Sequence, residues 1–426
     1  MTKTLIGLLL ALVAIQARGE TVSIVHARAF TVAGAPVDDA TIIISDGKIR
    51  SVVRSGLAPA DARLIDAKGH IVTPGLIGAA SQLALAEVLS AEDTDDRSVS
   101  TGPIGPAFDI SYAINSNSTL IPVARSDGIS RTMVFPGSAA TLPFSGMGAI
   151  IRLVPEGDVL ERPRAAMFVA IGDGTQSRAG GSRAAQWILL RNALDEARAF
   201  RAGAGRSLAP RDQLLGRLDI RALQPVVAGN MILAIHADRE SDIRQAICLS
   251  SDEKVRVVIV GGAEAWRAAS ELAAAHIPVI LDPQADLPQS FDSVGARLDN
   301  AALLTKAGVT IAFSVSGNGI YLSYGAGIDM REGAGIAVAN GLPYEVALAA
   351  ITVGPAKIWG LPNAGTLSPG ADADVIIWDG DPLEPGSAPL AMFVKGAQVS
   401  LVTRQTLLKD RYAPSRAREP MPPAYR

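Results

Sequence analysis

The stretch Val72 to Leu85, VTPGLIGAASQLAL, runs a Thr-Pro-Gly turn straight into an apolar strand of small residues, with its first polar side chains at Ser81 and Gln82. Side chains two apart on a strand point the same way. Ala80 and Gln82 therefore share a face near the strand's end, and what they face depends on how the rest of the chain is built around this strand.

Before this strand, from Thr21 to Asp66, the texture is short and strand-like: TVSIVHARAFTV, ATIIISDGKIRSVV and RLIDAKG cluster β-branched residues between Gly, Asp and Pro turns. Near the other end, GTLSPGADADVIIWDGDP (Gly365 to Pro382) and LAMFVKGAQVSLV return to the same texture. Two such segments at opposite ends predict one composite sheet domain. Between them, helical and strand patterns alternate. SDIRQAICLSSDEK precedes the buried-strand run VRVVIVGG, AEAWRAASELAAAH precedes IPVILDP, and LDNAALLTKAG precedes VTIAFSVSG. Such units imply parallel strands flanked by helices, in a closed barrel or a doubly wound open sheet. No GxGxxG follows the early strands and no P-loop sequence occurs. The final segment, Thr403 to Arg426, is rich in Arg and Pro and reads as a loose tail.

The 426 residues are 48% hydrophobic and 19% charged, with a net charge of −3, which suits a large globular core. Without a polybasic run or an aromatic-basic patch, nucleic acid and anionic membrane surfaces are not expected partners. Lys3, the apolar run Leu5 to Ala14 and the small residues around Ala17-Arg18-Gly19 follow the order of a secretory signal peptide, and the run is too short to span a bilayer. The expectation is a periplasmic or secreted protein beginning near Glu20, with no stable membrane anchor. The single cysteine, Cys248, leaves no internal disulfide to form.

Four motifs in order, GHIVTPGLI, ILAIHADRESDIRQAI, AITVGPAKIWGL and GTLSPGADADVIIWD, give the chain from Thr21 to about Val402 a resemblance to the amidohydrolase superfamily, in its imidazolonepropionase-like, metal-dependent hydrolase branch. The resemblance implies an α/β fold: a (β/α)8 TIM barrel over residues 73–363, with a composite β-sandwich domain from residues 20–72 plus 364–402. Residues 1–19 are then the signal peptide and 403–426 the C-terminal tail. It also implies a site at the C-terminal ends of the barrel strands. The family's usual zinc ligands are two histidines on strand one, a lysine or glutamate on strand four, a histidine each on strands five and six, and an aspartate on strand eight. Carried over, the first pair falls on Ala80 and Gln82 and the strand-five histidine on His236. The strand-six histidine falls on Gly261 or Gly262, and the aspartate around Val315 or Ser316.

Counting residue types agrees with that register. Of four histidines, His26 and His70 lie in or beside the β domain and His276 sits at the N-terminal end of a strand, which leaves His236. No lysine occurs from Gly69 to Ile235, which removes a bridging carbamylated lysine. A catalytic zinc needs about three protein ligands, so no cofactor is expected, only His236 of the ligand set being retained. His236 follows MILAI directly and is the candidate catalytic residue, or a polar side chain satisfied in the barrel mouth. Asp173 and Asp282 end apolar runs, as binding carboxylates or helix caps. Gln82 and Ser316 at vacated ligand positions suit a polar ligand pocket, or packing beneath the mouth. SAEDTDDRSVS (Ser90 to Ser100) lacks the spacing of a calcium loop and reads as a solvated loop over the mouth. SRAGGSR (Ser177 to Arg183) offers a weak lead to an anion at a helix N-terminus.

Three functional readings stand. By resemblance the protein is an exported hydrolase of non-peptide C–N bonds with catalysis lost or altered. The alternative is a non-catalytic ligand- or partner-binding pseudoenzyme on the same scaffold. The third is metal-free hydrolysis with His236 as general base. A small-molecule ligand fits all three, and the oligomeric state is left open.

Overall fold

The computed structural model of the chain describes residues 20–88, 91–141, 143–172, 175, 181–201, 214–315 and 325–412. The proposed export segment, Asp173 and Ser316 lie outside the described residues.

The β-branched N-terminal segment forms β1 (Val22–Ala29), β2 (Val37–Ser45), β3 (Lys48–Arg54), β4 (Arg63–Asp66) and β5 (Ile71–Pro74), and Gly75 alone separates β5 from β6 (Leu76–Ser81). There follow α1 (Leu120–Ser126), β7 (Ile129–Val134), β8 (Phe144–Arg152), β9 (Leu160–Ala170), α2 (Arg183–Arg201) and α3 (Arg217–Val227). The alternating region supplies β10 (Ile232–Ala237), α4 (Glu240–Glu253), β11 (Val257–Gly261), α5 (Ala269–Ala274), β12 (Val279–Leu281), α6 (Asn300–Lys306) and β13 (Ile311–Phe313). After α7 (Ala326–Ala339), α8 (Tyr344–Ala350) and α9 (Val353–Ile358) come β14 (Val375–Trp378), β15 (Pro389–Val394), β16 (Ala397–Val399) and α10 (Arg404–Tyr412).

Strands β6 to β13 pair in sequence order into one eight-stranded sheet that curls until β13 lies beside β6. The architecture is an α/β barrel with a sheet domain attached. The alternation in the sequence implies parallel strands throughout, and the structure corrects this at one place: β8 runs antiparallel to both β7 and β9. Its connections, residues 135–143 and 153–159, are shorter than the dozen or so residues that a parallel crossover requires. A hairpin return is what such lengths permit.

The β13–β6 seam is bridged by the segment around α9. Ile77 N–H donates to the Ile351 carbonyl at 2.9 Å, and Trp359 Nε1 donates to the Ala79 carbonyl at 2.8 Å. Gly354 lies so close to β13 that a Cβ there would meet the Ile311 carbonyl oxygen at 2.6 Å. The motif AITVGPAKIWGL is thus a closure device. Inside the barrel, Ala79, Ala166, Ala234 and Ala312 alternate with Met133, Phe168, Val258 and Ile280, and the Phe168 ring lies 5.5 Å from Phe135 and 6.1 Å from Trp359. The interior is filled, as side-chain layers fill barrels of this size.

The second sheet has the order β16-β15-β14-β5-β1-β2-β3, with β4 also on β1. Both chain ends build it: β14 pairs antiparallel with β5, and Ile24, Ile42, Ile44 and Val72 share a core with Leu367, Val375, Ile377 and Phe393. A buried ion network joins it to the barrel. Arg131 of β7 donates to Glu161 at 2.7 Å, to Asp374 at 2.6 Å and to Asp372, while Arg152 reaches Asp374 at 2.6 Å and Lys48 reaches Asp372 at 2.6 Å. At the C-terminus the expected loose tail begins instead with helix α10. Every proline of that segment lies after Tyr412, and Thr403 Oγ1 accepts from Thr406 N–H at 3.2 Å as an N-terminal cap. None of its residues is buried.

Candidate functional site

A cavity of about 600 Å³ opens where β6, β7, β9, β10, β11, β12 and β13 end. Phe135 and Phe168 form its apolar floor, while Gln82, Arg97, Ser98, Ser138, Ser145, Thr175, His236, Asp238, Asp282, Asp292 and Ser314 bring polar groups to its wall. A small organic molecule fits such a volume and such a mixture of surfaces. Three sequence-derived candidates, Gln82, His236 and Asp282, therefore meet here.

His236 stands fifth of six residues in β10, opposite Ala170 of β9 and Val260 of β11. Ala234, two residues earlier, belongs to the barrel interior, so the strand's alternation carries the imidazole up to the mouth. It is exposed and, among the described residues, no side chain or backbone group hydrogen-bonds to it. Its neighbours in register, Ala170 and Val260, are small and apolar and offer it no hydrogen bond. Asp238 sits next to it. Its Oδ1 accepts from Ala263 N–H at 3.2 Å and occupies the space above Gly261, where a Cβ would approach it to 2.4 Å. Gly261 also holds φ at +92°, so the strand-six position admits no side chain here.

On the opposite wall, Gln82 is 4% exposed and its Oε1 accepts from Arg97 Nη1 at 2.9 Å. Its Nε2 donates to no described residue. Arg97 is held in turn by Asp95, with Nε to Oδ1 at 2.7 Å, and the pairing keeps the Asp95 carboxyl below its usual range. The acidic stretch read as a solvated loop thus sends one arginine into the mouth. Reading the segment by its net charge hid it. Asp282 Oδ1 accepts from Gln284 N–H at 2.9 Å within a turn, and no helix starts there, so Asp282 is not the helix cap that the sequence allowed.

Behind Asp282 lies Asp286, 2% exposed, with Oδ1 accepting from Asn300 Nδ2 at 3.3 Å and Oδ2 unpartnered among the described residues. Burial pushes its carboxyl up to about 7, against the Asn300 hydrogen bond, and the nearby carboxylates of Asp282 and Asp238 push the same way. Sequence reasoning missed Asp286 because nothing in PQADLP marks a buried acid. The anion lead at SRAGGSR falls mostly outside the described residues. Its Arg183 is engaged by two carboxylates, with Nε on Asp242 at 3.1 Å and Nη2 on Asp292.

Positions that the resemblance assigns to metal ligands thus hold Ala80, Gln82, His236 and Gly261. No group of three or more His, Cys, Asp or Glu side chains among the described residues is placed to share a metal ion. Nor is any helix among them long and apolar enough to cross a membrane.

The amidohydrolase family model matches residues 232–405. Among curated proteins, amidohydrolase tasK of Hapsidospora irregularis is 23% identical over 394 residues, which cover 82% of this chain and 38% of that protein. The chain therefore spans less than half the length of that relative. Among solved structures, an amidohydrolase from Thermotoga maritima MSB8 superposes with a TM-score of 0.79 at 24% identity, covering 89% of this chain and 99% of that one. Enamidase, described as a member of the amidohydrolase superfamily, gives 0.51 at 16% identity over 90% of this chain and 97% of its own. The family match on residues 232–405, which include His236, and a curated relative across most of the chain's length make the chain similar to the amidohydrolase family, and the solved structures share its barrel fold.

Proposed function

We propose that the protein hydrolyses a non-peptide C–N bond of a small molecule in the barrel-mouth cavity, with His236 rather than a metal pair handling the proton. The observation that carries this reading is the unpartnered imidazole facing a cavity that also holds hydrogen-bond donors. The zinc that the superfamily uses does not fit the described donors. Four of its ligand positions, carried over, fall on Ala80 and Gly261, which have no side chain able to coordinate it, on Gln82, an amide already accepting from Arg97, and on His236. About three ligands are needed for a defined zinc site, so no step is routed through metal.

In the proposed reaction His236 takes a proton from a water as its oxygen attacks the substrate carbonyl. The free Nε2–H of Gln82 and the Arg97 guanidinium, on the same cavity wall, are the groups toward which the carbonyl oxygen would turn as it gains charge. The imidazolium then returns the proton to the departing nitrogen. The Phe135 and Phe168 floor would hold an apolar portion of the substrate. A second reading, ligand binding without turnover, is favoured by the missing side chains at Ala80 and Gly261. Export is part of the proposal too, supported by the charged, apolar, small-residue order of residues 1–19.

The test is an amide and lactam hydrolysis screen with wild type and His236→Ala. Removal of a general base costs about 10²–10⁴-fold in rate. A loss of that size supports the hydrolase. Turnover that survives His236→Ala unchanged refutes the role given to His236, and a screen without turnover, combined with saturable ligand binding at the mouth, would establish the non-catalytic reading.

A further inference from the structure

At the other end of the barrel, beneath the N-terminal ends of β10 to β13, a second cavity of about 420 Å³ opens. Barrel floors are ordinarily packed for stability. This one is left open, and its lining divides by chemistry. Ile232, Val257, Val258, Ile277, Pro278 and Ile358 make apolar walls, whereas Arg256, His276 and Lys357 are exposed at its rim, and no carboxylate lines it. Among the described residues none of these three side chains has a hydrogen-bond or ion-pair partner. That contrasts with the surrounding arginines: Arg191 and Arg198 pair with Glu253, and Arg244 pairs with Glu240 and Glu271. The start of β11, the turn after α5 and the last turn of α9 thus bring Arg256, His276 and Lys357 to one apolar cleft that no carboxylate lines. His276 adds a further sign of placement. It holds φ at +53° just after α5, a position where glycine is the usual choice.

We propose that this cleft is a binding site for a small amphiphilic organic anion, a monocarboxylate with an apolar tail. The tail would lie on the Ile232, Val258 and Ile358 wall, and the carboxylate would accept from Arg256 and Lys357. The site is separate from the mouth and independent of the proposed hydrolysis.

Calorimetric titration of the full chain with octanoate, octanamide and inorganic phosphate tests the proposal. Octanoate should bind at least tenfold more tightly than either of the others, since octanamide lacks the charge and phosphate lacks the tail, and its affinity should fall with added salt. The pair Arg256→Gln and Lys357→Gln should weaken octanoate at least tenfold, Lys357→Gln alone should do so partly, and Arg97→Gln at the mouth should leave it unchanged. Both floor residues are exposed, so an unaltered melting curve confirms that the variants fold. Octanoate affinity unchanged in the double variant, lost in Arg97→Gln, matched by phosphate or octanamide, or undetectable at millimolar concentration would each overturn the assignment.

Discussion

Asp286 is a carboxyl group that the fold keeps away from water with one weak donor, Asn300. Its ordinary value is 3.8 and the folded value is about 7. Between these limits the unfolded chain releases a proton that the folded chain retains. Stability therefore falls as pH rises across that window and is lowest above it. Asp286→Asn keeps an acceptor for Asn300 and removes the ionisation, so the variant should melt several degrees above wild type at pH 8 and at the same temperature at pH 4. Thermal melts across that range check it, and a difference independent of pH would contradict it. The same residue scale separates what was legible in the sequence. His236 stood out because it ends an apolar run and is the one histidine left at a strand's C-terminal end. Asp286 and Arg97 did not, because burial and reach depend on neighbours far along the chain.

Among the elements, three of the four motifs that carry the superfamily resemblance turn out to serve the joints of the fold. VTPGLI leads β5 into β6, AITVGPAKIWGL closes the β13–β6 seam, and Asp372 and Asp374 of GADADV hold the ion network under the barrel. This is why the fold could be read from sequence at low identity. Joints need particular glycines and buried charges, and these leave a readable pattern. The reversed strand β8 left none, because its nine buried residues have the same apolar texture in either direction. Arg131→Ala leaves Asp374 and Asp372 buried without their main partner, and it should cost about 3–5 kcal/mol in urea denaturation; a loss under 1 kcal/mol would show that the network is solvated. A chain ending at Leu361 removes β14 from beside β5 and exposes that strand's edge. It should be rapidly cut by protease within residues 20–72, whereas full protection would mean that the N-terminal strands stand alone.

For the whole molecule, the fold and the chemistry part company. A superfamily barrel positions a cavity at its C-terminal mouth whatever residues line it, and here the lining offers one free imidazole, a carboxylate over Gly261 and an amide paired to arginine. Whether this mouth holds metal separates the proposed His236 chemistry from a metal-activated reaction. Binding to the native state alone raises the melting temperature in proportion to its tightness, so a chelator should leave the melting temperature of this protein unchanged. Metal content is more direct. Elemental analysis of the purified, folded chain should find well under one equivalent of first-row metal. Two equivalents of zinc retained through chelation would contradict the account and return the reaction to a metal-activated water.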